Sequence, residues 1–402
     1  MHALNGTSNN GAISSKIIHF YGQLVQNESD GRIGKPIVNA KIIFKDNLSE
    51  LSFAVLEDSS WFCVTLDAVS KRIHVIDPIS RDRSRFLQKL NDMLSLKFHS
   101  KFAIEISCFP KITNQCDSGI VACLLLDRRL HRCLKQRTVS SAEVKKMRQM
   151  IHSEMMEKRL FPRDACGLTN EGNTCYVNSV LQSIKLCIPP SAADHKNEVL
   201  METMALLNSM SYTPPWAQVS TSAYAKFLHK VFDGAYCNGK PEVVSDFFSD
   251  LIGKMEVGYI FNYMLVSNCE QCKRTENSLT KTFPILSLPA ISGSLSEAIV
   301  AYSKGNRRAC HSCSNDLQKK VVPGDVFVIR AKVTNFEETI SVSGITYTLT
   351  VFICYTKGHF YSCLKHKSFW ISISDGEIET VTNVEEKHKL AYLRFFRKNK
   401  SP

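Results

Sequence analysis

The chain has 402 residues, 44% of them hydrophobic and 22% charged, and a formal net charge of +12. That is apolar material for one large domain or two ordinary ones, and too much for a disordered tail or a disulfide-stapled miniprotein. The longest apolar stretch, residues 120–126, falls far short of the ~20 residues a bilayer core requires, so no membrane span is expected.

The polar start MHALNGTSNNGAISSK has no apolar signal region, which predicts a cytoplasmic or nuclear protein. Its 15 cysteines are then thiols that are buried, metal-bound or catalytic rather than paired. The first 44 residues read as a polar segment. From 51 to 106, β-branched and aromatic runs such as 62–66 and 73–76 predict strands. After Gly119 the run IVACLLL turns into a basic segment, 128–163. There Val144, Met147, Ile151 and Met155 recur at helical spacing behind the capping sequence Ser140-Ser141-Ala142-Glu143. Phe161-Pro162-Arg163-Asp164 breaks the pattern and marks a boundary. Helices follow at 176–187 and 242–254, and extended segments at 326–333 and 345–355. The class is α+β, in two units that meet near residue 160.

The charge is localised. Residues 128–163 hold 11 Lys or Arg against 3 Glu, and residues 387–402 hold 6 Lys or Arg and no acid, which leaves the remainder close to neutral. That distribution suits solvated surfaces, and no aromatic-interleaved basic groove accompanies it, so no specific nucleic-acid binding is expected.

The chemistry begins at Gly167-Leu-Thr-Asn170-Glu-Gly172-Asn173-Thr174-Cys175-Tyr176-Val-Asn178-Ser179-Val-Leu181-Gln182. Val177, Val180, Leu181 and Ile184 follow Cys175 at amphipathic spacing, which puts the thiol at the first turn of a helix, where the N-terminal field favours thiolate. Asn170 could donate a side-chain N–H to an oxyanion. This stretch resembles the cysteine box of the ubiquitin-specific proteases, papain-like thiol peptidases that cleave after the C-terminal glycine of ubiquitin. It matches the pattern G-L-x-N-x-G-N-T-C-Y-x-N-S-x-L-Q at every fixed position. The resemblance implies that Cys175 is the nucleophile and Asn170 the oxyanion-hole donor.

Gly358-His359-Phe360-Tyr361, with Trp370 and then Ser374-Asp375, resembles the histidine box of the same family and implies that His359 is the base. Where the family has Asp or Asn four residues after the tryptophan, this chain has Ser374. Its hydroxyl can fix the imidazole but brings no negative charge; Asp375, one place later, is the alternative. The acidic Gln-Asp-Ala-x-Glu-Phe stretch of the family survives only as Pro241-Glu242-Val-Val-Ser245-Asp246-Phe247, and the loop before His359 is short.

Cys269-Glu-Gln-Cys272 and Cys310-His-Ser-Cys313 are two C-x-x-C knuckles with 37 residues between them, the signature of a closed four-thiolate structural zinc site. By resemblance they belong to a fingers subdomain that grips ubiquitin. The similarity implies a papain-like ubiquitin-specific protease fold over residues 167–397, with thumb, palm and zinc fingers.

Residues 45–158 show a second resemblance. Ser60-Trp61, Asp77 and Asp117-Ser118-Gly119 are similar to the His-Trp, Asp and Asp-Cys-Gly motifs of the SUMO-deconjugating proteases, with serine where histidine and cysteine would stand and Ile112 in place of the oxyanion glutamine. The implication is a degenerate, non-catalytic peptidase-like α+β module; a generic α+β module is the alternative.

The expected organisation is therefore a polar segment 1–44, the module 45–158, a linker 159–166, the catalytic domain 167–397 and a basic tail 398–402. The expected activity is thiol-dependent hydrolysis after the terminal glycine of ubiquitin, with ubiquitin or ubiquitinated proteins as partners. Two other readings stand beside it: deconjugation of SUMO or another ubiquitin-like modifier, and a weakly active or inactive ubiquitin-binding scaffold.

Overall fold

The structure is a computed structural model and describes residues 15–28, 37–38, 50–107, 110–112, 114–126, 138–157, 160, 165–188, 197–213, 215–269, 271–272, 275–276, 282–290, 293–304, 310, 312–313, 315, 318–333 and 335–399. It divides into two compact units: Met1–Ala165 with Tyr212–Ala217, and Cys166–Ser211 with Gln218–Pro402. The breaker at 161–164, residues 158–159, the basic run 128–137 and the last three residues of the tail lie outside the described residues. Both units mix helix and sheet, so the α+β class holds. Among the described residues, no helix is long and apolar enough to cross a membrane.

The first unit contains α1 (Ser15–Glu28), β1 (Ile37–Val38), β2 (Glu50–Glu57), β3 (Ser60–Asp67), β4 (Arg72–Ile76), α2 (Ser84–Phe98), β5 (Ala103–Ser107), α3 (Ser118–Leu126) and α4 (Ser141–Glu157). Its sheet runs in the order β1-β2-β3-β4-β5, antiparallel in the middle and parallel at both edges. Strand periodicity sends Phe53, Val55, Phe62, Val64, Ile73 and Val75 to one face, where α2 buries Leu87, Leu90 and Leu94 against them. This helix is the parallel crossover between β4 and β5, and it sits inside the block that the sequence presents as strands.

The other face receives α3, which is apolar all round and buried at each of its nine residues, as a helix enclosed by protein must be. Cys63 donates its S–H to the Ala122 carbonyl at 3.4 Å, and Ser118 Oγ accepts the Trp61 N–H at 3.0 Å. Against α3 packs α1, burying Ile17, Ile18, Tyr21, Leu24 and Val25. The segment expected to be polar thus holds a helix whose narrow apolar stripe is interleaved with polar residues.

Between sheet and α2 lies a buried charge network. Arg83 donates from Nε to Asp77 Oδ2 at 2.7 Å, from Nη2 to Ser60 Oγ at 2.6 Å and from Nη1 to Glu57 Oε2 at 3.2 Å, and its guanidinium lies 4.4 Å from the centroid of the Phe62 ring. Arg83 is 2% exposed and Asp77 1%.

The second unit contains β6 (Gly167–Leu168), α5 (Cys175–Lys185), α6 (Glu198–Tyr212), β7 (Gln218–Val219), α7 (Ser222–Val231), α8 (Val244–Lys254) and α9 (Gly258–Phe261). Then come β8 (Tyr263–Asn268), β9 (Thr275–Glu276), β10 (Thr282–Phe283), β11 (Leu286–Ser287), α10 (Leu295–Lys304), β12 (Gln318–Pro323), β13 (Val326–Arg330) and β14 (Thr339–Val342). The chain ends with β15 (Ile345–Thr356), β16 (His359–His366), β17 (Phe369–Ser374), β18 (Glu377–Val381), α11 (Val384–Lys389) and β19 (Ala391–Lys398). An eight-stranded sheet runs β11-β13-β19-β15-β16-β17-β18, with β14 also on β15. A smaller sheet runs β10-β8-β12, with β9 also on β8, and β6 pairs with β7.

Two features of this unit place the site. Helix α5 lies on β16 through small polar side chains, with Ser362 Oγ donating to the Ser179 carbonyl at 2.8 Å. The β17–β18 turn, Asp375-Gly376, is pinned to β6, where the Leu168 N–H donates to the Asp375 carbonyl at 2.8 Å. Only glycine fits at 167, because a Cβ there would stand 2.6 Å from Gly376 Cα.

Two outcomes follow from this packing. In denaturant unfolding, Gly167→Ala is expected to destabilise the second unit by about 1–3 kcal/mol, since the clash is with backbone and cannot be relieved by a rotamer. Asp77→Ala is expected to cost the first unit about 3–5 kcal/mol by taking from the buried Arg83 charge its closer and fully buried partner.

Candidate functional site

The loop before Cys175 is built by one asparagine and two left-handed residues. Asn170 Oδ1 accepts from the Gly172 N–H at 3.1 Å, the Thr174 N–H at 3.1 Å and the Thr174 hydroxyl at 3.2 Å. Gly172 (φ +92°) and Asn173 (φ +55°) turn the chain back so that α5 starts at Cys175. The predicted apolar stripe is buried, with Val177, Val180, Leu181 and Ile184 at 1% exposure or less, and it fixes the helix in the unit.

Cys175 itself is 8% exposed. Burial pushes its thiol above the usual range; the Phe360 backbone N–H pulls it down, and the Asp375 carboxylate pushes it up again. The sequence position alone favours thiolate, but here removal from water outweighs the field of the helix terminus.

His359 opens β16 immediately after a two-residue hairpin turn. Lys357 (φ +48°) and Gly358 (φ +82°) both adopt the left-handed conformation that such a turn requires, and Thr356 pairs with His359 across it. His359 Nε2 lies 2.9 Å from Ser374 Oγ. Asp375 comes no closer than 3.9 Å to that nitrogen. The Asp375 carboxylate is taken up elsewhere, accepting from Asn170 Nδ2 at 2.9 Å and from Asn178 Nδ2 at 2.7 Å. The turn conformation of Asp375, φ +48°, accompanies this division of labour between neighbouring residues.

The structure therefore brings two hydrogen-bonded pairs, Asn170–Asp375 and His359–Ser374, side by side, with 3.9 Å between Asp375 Oδ2 and His359 Nε2. It adds Asn178, which has no assigned role in the sequence reading. The available signal was its place three residues after Cys175 and so near the same face of the helix. Cys175 opens onto a cleft of about 480 Å³ whose wall includes Tyr176, Glu242, Tyr355, Gly358, Phe360 and Tyr392. Among the described residues, no Lys or Arg lines it. Tyr176 is held by accepting the Cys237 N–H at 2.8 Å, so that wall is fixed from behind.

The two cysteine knuckles meet through strand register. Antiparallel pairing of β8 with β12 sets Asn268 opposite Gln318, bringing the knuckle that follows β8 beside the one that precedes β12. The Sγ atoms of Cys269, Cys272, Cys310 and Cys313 all lie within 4.8 Å of one another, and Cys269 and Cys313 are 3.4 Å apart. Ligation at ~2.3 Å in a tetrahedron separates sulfurs by roughly 3.8 Å, so these four can hold one metal ion with little movement.

In the first unit, Ser60 and Ser118 are engaged in structural bonds. Ser60 Oγ accepts from Arg83 and donates to the Glu57 carbonyl, Ser118 Oγ accepts from the Trp61 N–H, and Asp77 is ion-paired with Arg83. Both serines are at most 1% exposed and Ile112 is 5% exposed, so neither hydroxyl meets solvent.

No protein-family model matches the chain, and no curated protein does. Solved structures resemble it at low identity. The SAGA Ubp8/Sgf11/Sus1/Sgf73 DUB module is similar with a TM-score of 0.45 at 15% identity, over 66% of this chain and 76% of that chain. The same module bound to ubiquitin aldehyde gives 0.44 at 13% identity, over 66% and 77%. The yeast SAGA DUBm with a mutant Sgf73 gives 0.43 at 15% identity, over 63% and 76%.

Proposed function

We propose that the second unit is a cysteine-type deubiquitinase that hydrolyses the isopeptide or peptide bond after the C-terminal glycine of ubiquitin. One observation carries the reading: the cysteine-box thiol Cys175 stands at the head of α5 and shares a cleft with Gly358 and Phe360, the two chain neighbours of the Ser374-bonded His359, from motifs nearly two hundred residues apart in the chain. On this reading the helices around α5 form the thumb, the eight-stranded sheet the palm, and the β8–β12 sheet the fingers. The domain limits, 167–397 for catalysis and 45–158 for a non-catalytic module, belong to the same proposal.

The chemistry follows from the groups present. His359 receives the Cys175 proton as Sγ attacks the carbonyl carbon of the terminal glycine. The developing oxyanion is met by the Cys175 backbone N–H and by the second N–H of Asn170, whose first is committed to Asp375. The amine leaves with the proton from His359, and water then cleaves the thioester with His359 as base. Glu242 gives the cleft a negative wall suited to a basic tail segment. Cys269, Cys272, Cys310 and Cys313 would hold a structural Zn²⁺, which supplies a closed tetrahedral clamp on the two knuckles and takes no part in the reaction.

Ubiquitin carrying a C-terminal electrophile is expected to form a covalent adduct with the full-length protein, absent in Cys175→Ala and in His359→Ala. Mass spectrometry of the adduct reads the outcome. Adducts with a SUMO electrophile in place of ubiquitin would move the activity to that modifier, and no adduct with any modifier would leave a binding scaffold. Metal analysis is expected to find about one zinc per chain. Cys272→Ser should lose that zinc and lower the temperature at which the second unit melts.

A further inference from the structure

The third member of the catalytic group sets the charge on the pair it supports. A carboxylate at that position accepts only, so it fixes the imidazole tautomer and stabilises the imidazolium. Here the imidazole contact is the Ser374 hydroxyl, 2.9 Å from His359 Nε2. A hydroxyl is neutral, and it donates as readily as it accepts. It therefore permits the tautomer with the proton on Nδ1, which cannot serve as a base from that atom.

The nearest carboxylate does not make up the difference. Asp375 stands 3.9 Å from Nε2, with one oxygen bonded to Asn170 and the other to Asn178. Its charge also acts against the thiolate, because it disfavours taking a proton from Cys175. Glu242, on the cleft wall, adds negative charge, and among the described residues no Lys or Arg lines that wall to favour a thiolate. The Cys175 thiol is itself largely withdrawn from water.

We propose that Cys175 rests as a thiol and not as the thiolate half of an ion pair with His359, because Ser374 holds the ring while Asp375 is committed to two asparagine amides. The inference rests on the assignment of nucleophile and base above, and not on which modifier is cleaved. Proton transfer then belongs to the attack itself. As the bond from Sγ to the carbonyl carbon forms, the S–H proton moves to His359 Nδ1 and the carbonyl electron pair moves onto oxygen. No other reactant is consumed.

The test is alkylation of Cys175 by iodoacetamide in the full-length native protein, followed on the Cys175 peptide by mass spectrometry. In the wild type the rate should climb continuously between about pH 5 and pH 9, as for a thiol that ionises alone. Ser374→Asp should introduce a reactive plateau on the acid side and react at least about tenfold faster than the wild type near pH 6. Adding His359→Ala to that variant should remove the plateau. A wild-type plateau between about pH 5 and pH 7 that His359→Ala abolishes would overturn the proposal. So would a Ser374→Asp profile that superimposes on the wild type. Should Ser374→Asp not fold, the wild-type and His359→Ala profiles decide the matter between them. Absence of a ubiquitin adduct would instead count against the deubiquitinase reading and leave these profiles interpretable.

Discussion

One hydrogen-bonded junction holds the second unit's chemistry in place. The turn after β17 gives its carbonyl to Leu168 and its carboxylate to Asn170 and Asn178, so Asp375 joins the strand that carries Ser374 to the loop that delivers Cys175. These partners lie about two hundred residues apart in the chain. Three features depend on it: the imidazole contact on one side, the Asn170 loop on the other, and the close approach of Gly167 to Gly376. The carboxylate next to the imidazole is here used as a structural tie.

Much of this was legible in local patterns. The cysteine box located the start of α5, the β-branched run 345–355 located β15, and the paired knuckles predicted a four-sulfur cluster that strand register then brings together. What was not legible is what depends on partners remote in sequence. Asn178 carries no local mark of its role, because the group that it holds is on another strand. The choice between Ser374 and Asp375 turned on a backbone angle at a hairpin, where adjacent residues point to different neighbours.

Two helices of the first unit fail to show themselves in sequence for a related reason. Helix α1 has its buried residues scattered among polar ones, and α2 lies between strands rich enough in β-formers to mask it. The short segment Tyr212–Ala217 belongs to this unit although its flanks belong to the other, an assignment that only three-dimensional contacts make. Likewise, Arg83 is in sequence an ordinary charged residue ahead of a helix, and in the fold the most heavily bonded side chain between sheet and α2.

Arg83 also constrains how this unit can change over time. Its guanidinium is shared among Glu57, Ser60 and Asp77, so loss of an acidic partner leaves an enclosed cation less compensated, and loss of Arg83 takes the cation from both acids. A bulkier side chain at Ser60 would have to displace a nitrogen only 2.6 Å away. Positions 57, 60, 77 and 83 are thereby bound into one heritable block: substitutions that arrive singly are penalised, and those that persist should be found in combination.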